Sequence, residues 1–117
     1  MPTAEDINQL YREYLRSISD MARALPDELK AFRGLVAAVH KEGALTIKMK
    51  ELIALGIAIV AKCESCMVYH IKQAIGAGAS KNEILETVGT SILMGGGPAT
   101  GHLDLILAAL KAFEAKE

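Results

Sequence analysis

Tryptophan is absent from this chain of 117 residues, and its aromatic side chains come to three tyrosines and two phenylalanines. Since 51% of the residues are nevertheless hydrophobic, the core must be assembled from Ala, Leu, Ile, Val and Met, the palette of packed helices. A basic excess is missing too: thirteen Lys and Arg against fourteen Asp and Glu leave a formal charge of −1. That balance offers no footprint for nucleic acid or for an anionic membrane surface. Long apolar runs are also lacking, for the longest, 52-LIALGIAIVA-61, has ten residues against the roughly 20 needed to cross a bilayer. The opening stretch MPTAEDINQLYREYL is charged from Glu5 onward and has no apolar signal segment, so it reads as part of the fold. These absences lead us to expect a soluble, cytoplasmic protein without nucleic-acid or membrane partners. The length implies a single domain over residues 1–117, near the size at which subunits need one another to bury enough apolar surface.

What is present is helical punctuation. No convincing strand can be drawn, and the turn signals divide the chain into five helical segments and a last helix. Thr3 opens the first, with Asp6 three residues on as a variant capping box, and Ile7, Leu10, Tyr14, Ile18, Met21 and Leu25 then recur at helical spacing. Pro26 suits a first helical position and is followed by acidic Asp27 and Glu28, so a second segment is expected from there to the Lys41–Gly43 region. Thr46 can cap a third segment that carries Glu51 and the apolar run and is hydrophobic on nearly every side, a helix for the inside of a bundle or an oligomer. A fourth starts near Cys63 and stops at 76-GAG-78, and 80-SKNE-83 is a capping box that opens a fifth through Met94. After 95-GGGP-98 a last helix is expected over about Ala99 to Glu114. The fold class is all-α, a helical bundle with short connections.

Both cysteines of the chain stand in one stretch, 63-CESCMVYH-70. In a reducing compartment a close pair of this kind points to redox, catalytic or metal chemistry more than to a structural staple. At about 100° per residue, positions 63, 66 and 70 fall within roughly 60° on one helix face, with Cys66 and His70 as i,i+4 neighbours. An imidazole there can take the thiol proton and leave the nucleophilic thiolate. Two effects compete over which sulfur attacks: the helix N-terminus favours Cys63, whereas His70 favours Cys66 and also supplies a proton route. The histidine weighs more, which makes Cys66 the candidate nucleophile and Cys63 the thiol that resolves its sulfenic acid. Glu51 lies twelve residues before Cys63 and reaches His70 only if the chain turns back between about Val60 and Glu64. A glutamate in that apolar neighbourhood is costly without such a partner.

Glu51, Cys63, Cys66 and His70 together form the pattern E-x11-C-x2-C-x3-H, which resembles the signature of alkylhydroperoxidase D-like proteins within the carboxymuconolactone decarboxylase family. The similarity continues through 48-KMKELIALGIAIVAKCESCMVYHIKQAIGAGASKNEI-84 and 95-GGGPA-99 and covers about residues 31–110. It implies the alkylhydroperoxidase D-like helical bundle, assembled as a homo-oligomer (trimer or hexamer), and a thiol peroxidase in which Glu51 and His70 relay protons to Cys66. It further implies a Cys63–Cys66 disulfide as the oxidised state, reduced again by an external dithiol such as a lipoyl group on a carrier protein, with a hydroperoxide as substrate and no bound cofactor. The chain departs from the best characterised peroxidases of this kind at Ser65, where those carry a further histidine between the cysteines.

Other readings compete. Zinc on Cys63, Cys66 and His70 would leave the fourth position open. A c-type haem needs histidine directly after the second cysteine, where Met67 stands. The run 95-GGGP-98 lacks the Lys-Ser/Thr ending of a phosphate loop and reads as a tight connection. His40 and His102 have no neighbouring motif and read as surface or packing histidines, while Met67 and Tyr69 flank the site as candidates for either core or cavity. Two alternative functions stay open: a decarboxylase of the kind the family name suggests, and a non-enzymatic redox-responsive switch or chaperone.

Overall fold

The computed structural model describes residues 1–117 as six α-helices and one short 3₁₀ turn, without a strand. The helices are α1 (Ala4–Ala24), α2 (Pro26–Val39), α3 (Ile47–Val60), α4 (Glu64–Gly76), α5 (Lys81–Gly95) and α6 (Leu103–Ala112). Their starts follow the caps. Thr3 and Ser80 each form a full capping box, with Asp6 and Glu83 respectively, and Thr46 accepts the amide of Met49. Two ends depart from expectation. Helix α2 stops at Val39, and the last helix begins at Leu103 rather than Ala99. Gly96 takes a positive φ of 69° and Pro98 stands in a 3₁₀ turn over Gly97–Thr100, so the backbone cannot enter α-geometry until that turn has closed.

The core lies between α3, α4, α5 and α6, where Leu55, Ile59, Met67, Ile71, Ile84 and Ile106 are fully or almost fully buried. Met67 therefore belongs to the core and not to a cavity wall. Helix α3 runs back to α4 through a three-residue link in which Lys62 adopts φ 59°. A left-handed residue of this kind costs an L-amino acid about 1 kcal/mol, and here it lets Cys63 return its amide to the carbonyl of Ala58 at 3.1 Å. The two helices consequently pack side by side and antiparallel. Across the other side of α3, Gly56 lets α5 approach: buried Ser91 donates its hydroxyl to Thr87 O at 2.9 Å and to Gly56 O at 3.3 Å.

Helices α1 and α2 behave differently. Only Ile7 of α1 is buried, near its start, while Met21 and Leu25 at its far end are exposed; α2 packs chiefly on α1 and has no buried residue at all. Arg33, Val36 and Ala37 share one face of α2, His40 caps its end at the next position of the same i, i+3, i+4, i+7 series, and all four line a cavity over α3 and α4. Helix α2 is thus the roof of an open space and not a piece of the core. None of the helices is long and apolar enough to cross a membrane.

Candidate active site

The α3–α4 hairpin decides where the motif residues fall. Glu51 stands on the second turn of α3 and, although a carboxylate, is 8% exposed. Because α4 returns alongside, His70 places Nδ1 2.7 Å from Glu51 Oε2. With Nδ1 held by the carboxylate, Nε2 is the ring nitrogen left for chemistry. The desolvation that a buried carboxylate would otherwise suffer is offset by this charge-assisted contact.

Cys63 lies outside α4. It is the N-cap, with extended backbone, and its Sγ accepts the amide of Cys66 at 3.3 Å. The single-helix-face picture therefore holds for Cys66 and His70 but not for Cys63, whose position is set by the cap. The two Cα atoms are 5.2 Å apart and the sulfurs are joined as a disulfide. Ser65 Oγ lies 3.6 Å from Cys63 Sγ, so the hydroxyl between the cysteines sits against the first sulfur.

Cys66, His70 and Glu51 all line one cavity of about 320 Å³ beneath α2, and Cys63 does not. Its other walls include Tyr14, Phe32, Val36, Tyr69 and Gln73. The scarce aromatics gather here. Tyr69 stacks on Tyr11 at 6.2 Å and meets Tyr14 and His70 edge-on at 5.6 and 5.1 Å, while Phe113 stands edge-on to Tyr11 at 6.2 Å. With Phe32 on the cavity wall, three of the five aromatic side chains line the site, Tyr11 stands one contact behind it and Phe113 two. Burial, reinforced by the negative charge of Glu51, pushes the Tyr69 hydroxyl above its ordinary value of 10.0, so it stays a neutral phenol. A larger cavity of about 560 Å³ lies between α3 and α5, but its lining of Ile53, Ile57, Thr87, Met94 and neighbours has no charged group, and its hydroxyls, on Thr87, Thr90 and Ser91, each donate to a backbone carbonyl. Chemistry belongs to the smaller one.

One residue that motif reasoning set aside belongs to the site. His40, just past the end of α2, brings Nδ1 to 3.4 Å from Glu51 Oε1, the oxygen that His70 leaves free, and lines the same cavity. Lys50 holds it there by donating to Val39 O at 2.9 Å and Lys41 O at 2.7 Å, the carbonyls on either side of His40. The signal available in the sequence was connection length: six residues separate His40 from α3, which forces a helix end and the following helix start into proximity. His102 is placed elsewhere, with Nε2 3.0 Å from Glu64 Oε1 at the start of α4. No three His, Cys, Asp or Glu side chains are gathered as metal ligands, Cys63, Cys66 and His70 included.

An all-helical domain with a C-x-x-C pair at a helix start, backed by a buried Glu–His couple, defines the class. The chain belongs to the carboxymuconolactone decarboxylase family, whose profile matches residues 26–114. A family protein of Legionella pneumophila has the same fold with a TM-score of 0.81 and 32% identity, over 94% of this chain and 96% of that one. A Thermotoga maritima family protein, for which involvement in an antioxidative response has been suggested, aligns with a TM-score of 0.64 and 33% identity over 74% of this chain and 87% of its own. An uncharacterised protein of Cupriavidus necator is 31% identical over 94% of this chain and 97% of its own length. The resemblance to alkylhydroperoxidase D-like proteins read from the motif thus holds at the level of the family.

Proposed function

We propose that this protein is a thiol peroxidase in which Cys66 is the peroxide-attacking sulfur. The observation that carries this reading is the Glu51–His70 contact of 2.7 Å at a cavity that Cys66 lines and Cys63 does not. An external dithiol, of which a lipoyl group on a carrier protein is the candidate, reduces the Cys63–Cys66 disulfide and leaves a thiol on Cys63 and a thiolate on Cys66. His70 keeps the second proton as an imidazolium beside the Glu51 carboxylate. The Cys66 thiolate attacks the terminal oxygen of a hydroperoxide; the O–O bond breaks, an S–OH forms, and the alkoxide leaves and is protonated to the alcohol. Cys63 then attacks the sulfenic sulfur, hydroxide leaves as water, and the disulfide is restored. The net reaction consumes one hydroperoxide and one dithiol and yields alcohol, water and disulfide.

The reading includes a homo-oligomer, a trimer or hexamer. Ile53, Ile57, Leu93 and Met94 expose apolar surface along α3 and α5, around a groove with no charged lining residue. Patches of this kind mark association surfaces.

Peroxide consumption with a dihydrolipoyl reductant, compared among wild type, Cys66→Ser and Cys63→Ser, tests the assignment. Turnover in the wild type that both substitutions abolish supports it. A decarboxylase would keep its activity in Cys66→Ser, and a redox switch would open and close its disulfide without consuming peroxide; either result replaces the peroxidase reading.

A further inference from the structure

The peroxidase chemistry uses one imidazole, yet two stand at Glu51. His70 Nδ1 is hydrogen-bonded to Oε2 at 2.7 Å, His40 Nδ1 lies at ion-pair distance, 3.4 Å, from Oε1, and both rings line the cavity shared with Cys66. Their surroundings differ. The His70 side chain is 26% exposed and the His40 side chain 46%, around a carboxylate that is 10% exposed. The inner ring is suited to hold the proton of the half-buried Cys66 thiol, and the outer ring to exchange one with whatever occupies the mouth of the cavity. Of the charged and titratable groups packed around His40, Glu51 is the one within ion-pair distance; Lys50 is committed to backbone carbonyls, and Arg33 lies on α2, which His40 caps, along the same wall.

We infer that His40 is a second catalytic residue, the acid that protonates the oxygen leaving the hydroperoxide. This rests on the peroxidase reading of the site. The charge arithmetic supports it: thiolate, His70 imidazolium, Glu51 carboxylate and His40 imidazolium alternate in sign and sum to zero, so both rings can be protonated around one carboxylate while Cys66 is ionised. When the thiolate takes the terminal OH, the alkoxide receives the His40 proton and leaves as alcohol. Cys63 then attacks the sulfenic sulfur of its disulfide partner, and its thiol proton leaves with the hydroxide as water. The two rings end the oxidation with His70 charged and His40 neutral, and of the two protons of the incoming dithiol one returns to Cys63 and the other to His40.

A leaving-group acid is needed in proportion to the basicity of the leaving oxygen, and this separates the role from a structural one. Single-turnover oxidation of reduced wild type and His40→Gln is compared with cumene hydroperoxide, which releases a strongly basic alkoxide, and with peracetic acid, which releases acetate. His40→Gln is expected to lose about 100-fold with cumene hydroperoxide, the order a positioned general acid supplies, and far less with peracetic acid. His70→Gln, which impairs thiolate formation itself, should lose rate with both oxidants. Equal losses with the two oxidants in His40→Gln, or no loss with either, overturn the assignment and leave the peroxidase reading intact. A wild type that reduces neither oxidant overturns both.

Discussion

Glu51 and His70 stand nineteen residues apart in the chain and 2.7 Å apart in the fold, joined through Oε2 and Nδ1. The contact exists because Lys62 reverses the chain between α3 and α4, and it makes the imidazole a base with a fixed orientation. Glu51→Gln preserves the shape and removes the charge that supports an imidazolium. Alkylation of reduced Cys66 by iodoacetamide at neutral pH is expected to slow about tenfold or more, in line with the loss of a charge-assisted hydrogen bond worth about 1.5 kcal/mol or more. An unchanged rate would show that His70 works without the carboxylate.

How far the sequence carried is visible in the same residues. Cap chemistry is local, so Thr3, Thr46 and Ser80 could be placed as helix starts, and the E-x11-C-x2-C-x3-H spacing gathered Glu51, Cys66 and His70 conditionally on one turn. His40 was not legible as a site residue, because its contact with Glu51 depends on how α2 lies over α3, and an isolated histidine carries no periodic signal. The apolar stripe of α1 shows a related limit. Helical spacing identifies which face is apolar but not whether anything covers it, and beyond Ile7 most of that stripe is only partly covered or open. Cys63 shows the reverse limit: helix-face arithmetic brought it near Cys66, whereas its actual place is the cap, fixed by the left-handed residue before it.

Lys50 gives a prediction about the roof. Its ammonium donates to two carbonyls where α2 ends, Val39 O, which also accepts the amide of Lys41, and Lys41 O beyond it. Lys50→Met removes both bonds and releases His40 from Glu51 without altering either side chain. The cumene hydroperoxide rate should fall toward that of His40→Gln, and amide exchange should accelerate at Val39 to Lys41. Full activity with unaltered exchange would mean that α2 is held by other contacts.

The end of α5 is packed without slack. A Cβ on Gly95 would stand 2.9 Å from Ala99 Cβ and 3.2 Å from Val60 Cγ2, neither of which is the far end of a flexible chain. Gly95→Ala is expected to destabilise the protein by about 1–3 kcal/mol, the usual cost of overpacking, seen as a lower denaturation midpoint in urea. Gly34→Ala, where nothing lies within 4 Å, serves as the control and should not lose stability.

Acid should weaken the start of α5. Hydrogen bonding from the Ser80 backbone amide, followed by the Lys48 ammonium at 2.9 Å, holds the Glu83 carboxyl below its ordinary value of 4.5. A carboxyl with a depressed folded-state value binds its proton more readily when unfolded. Its contribution is therefore present above pH 4.5 and is lost as pH falls through the lower folded value. Urea denaturation of wild type and Glu83→Gln should differ at pH 7 and converge in strong acid. A gap independent of pH would assign the difference to packing of the side chain and not to its charge.

The apolar groove between α3 and α5 makes the last prediction, about assembly. Ile57 is 65% exposed on α3 and lines that groove, while its neighbours along the helix, Ala58 and Ile59, are buried in the core. A charge at Ile57 therefore leaves the core of the subunit untouched and is tolerated only if the groove faces water. Burying such a side chain is worth roughly 1.5–3 kcal/mol per copy, and symmetry repeats the term at each interface. Ile57→Lys should retain its helical circular dichroism and shift the mass measured by light scattering from an oligomer to a single chain. If the wild type already runs as a monomer, or the variant keeps the oligomeric mass, the α3–α5 groove is not the subunit interface.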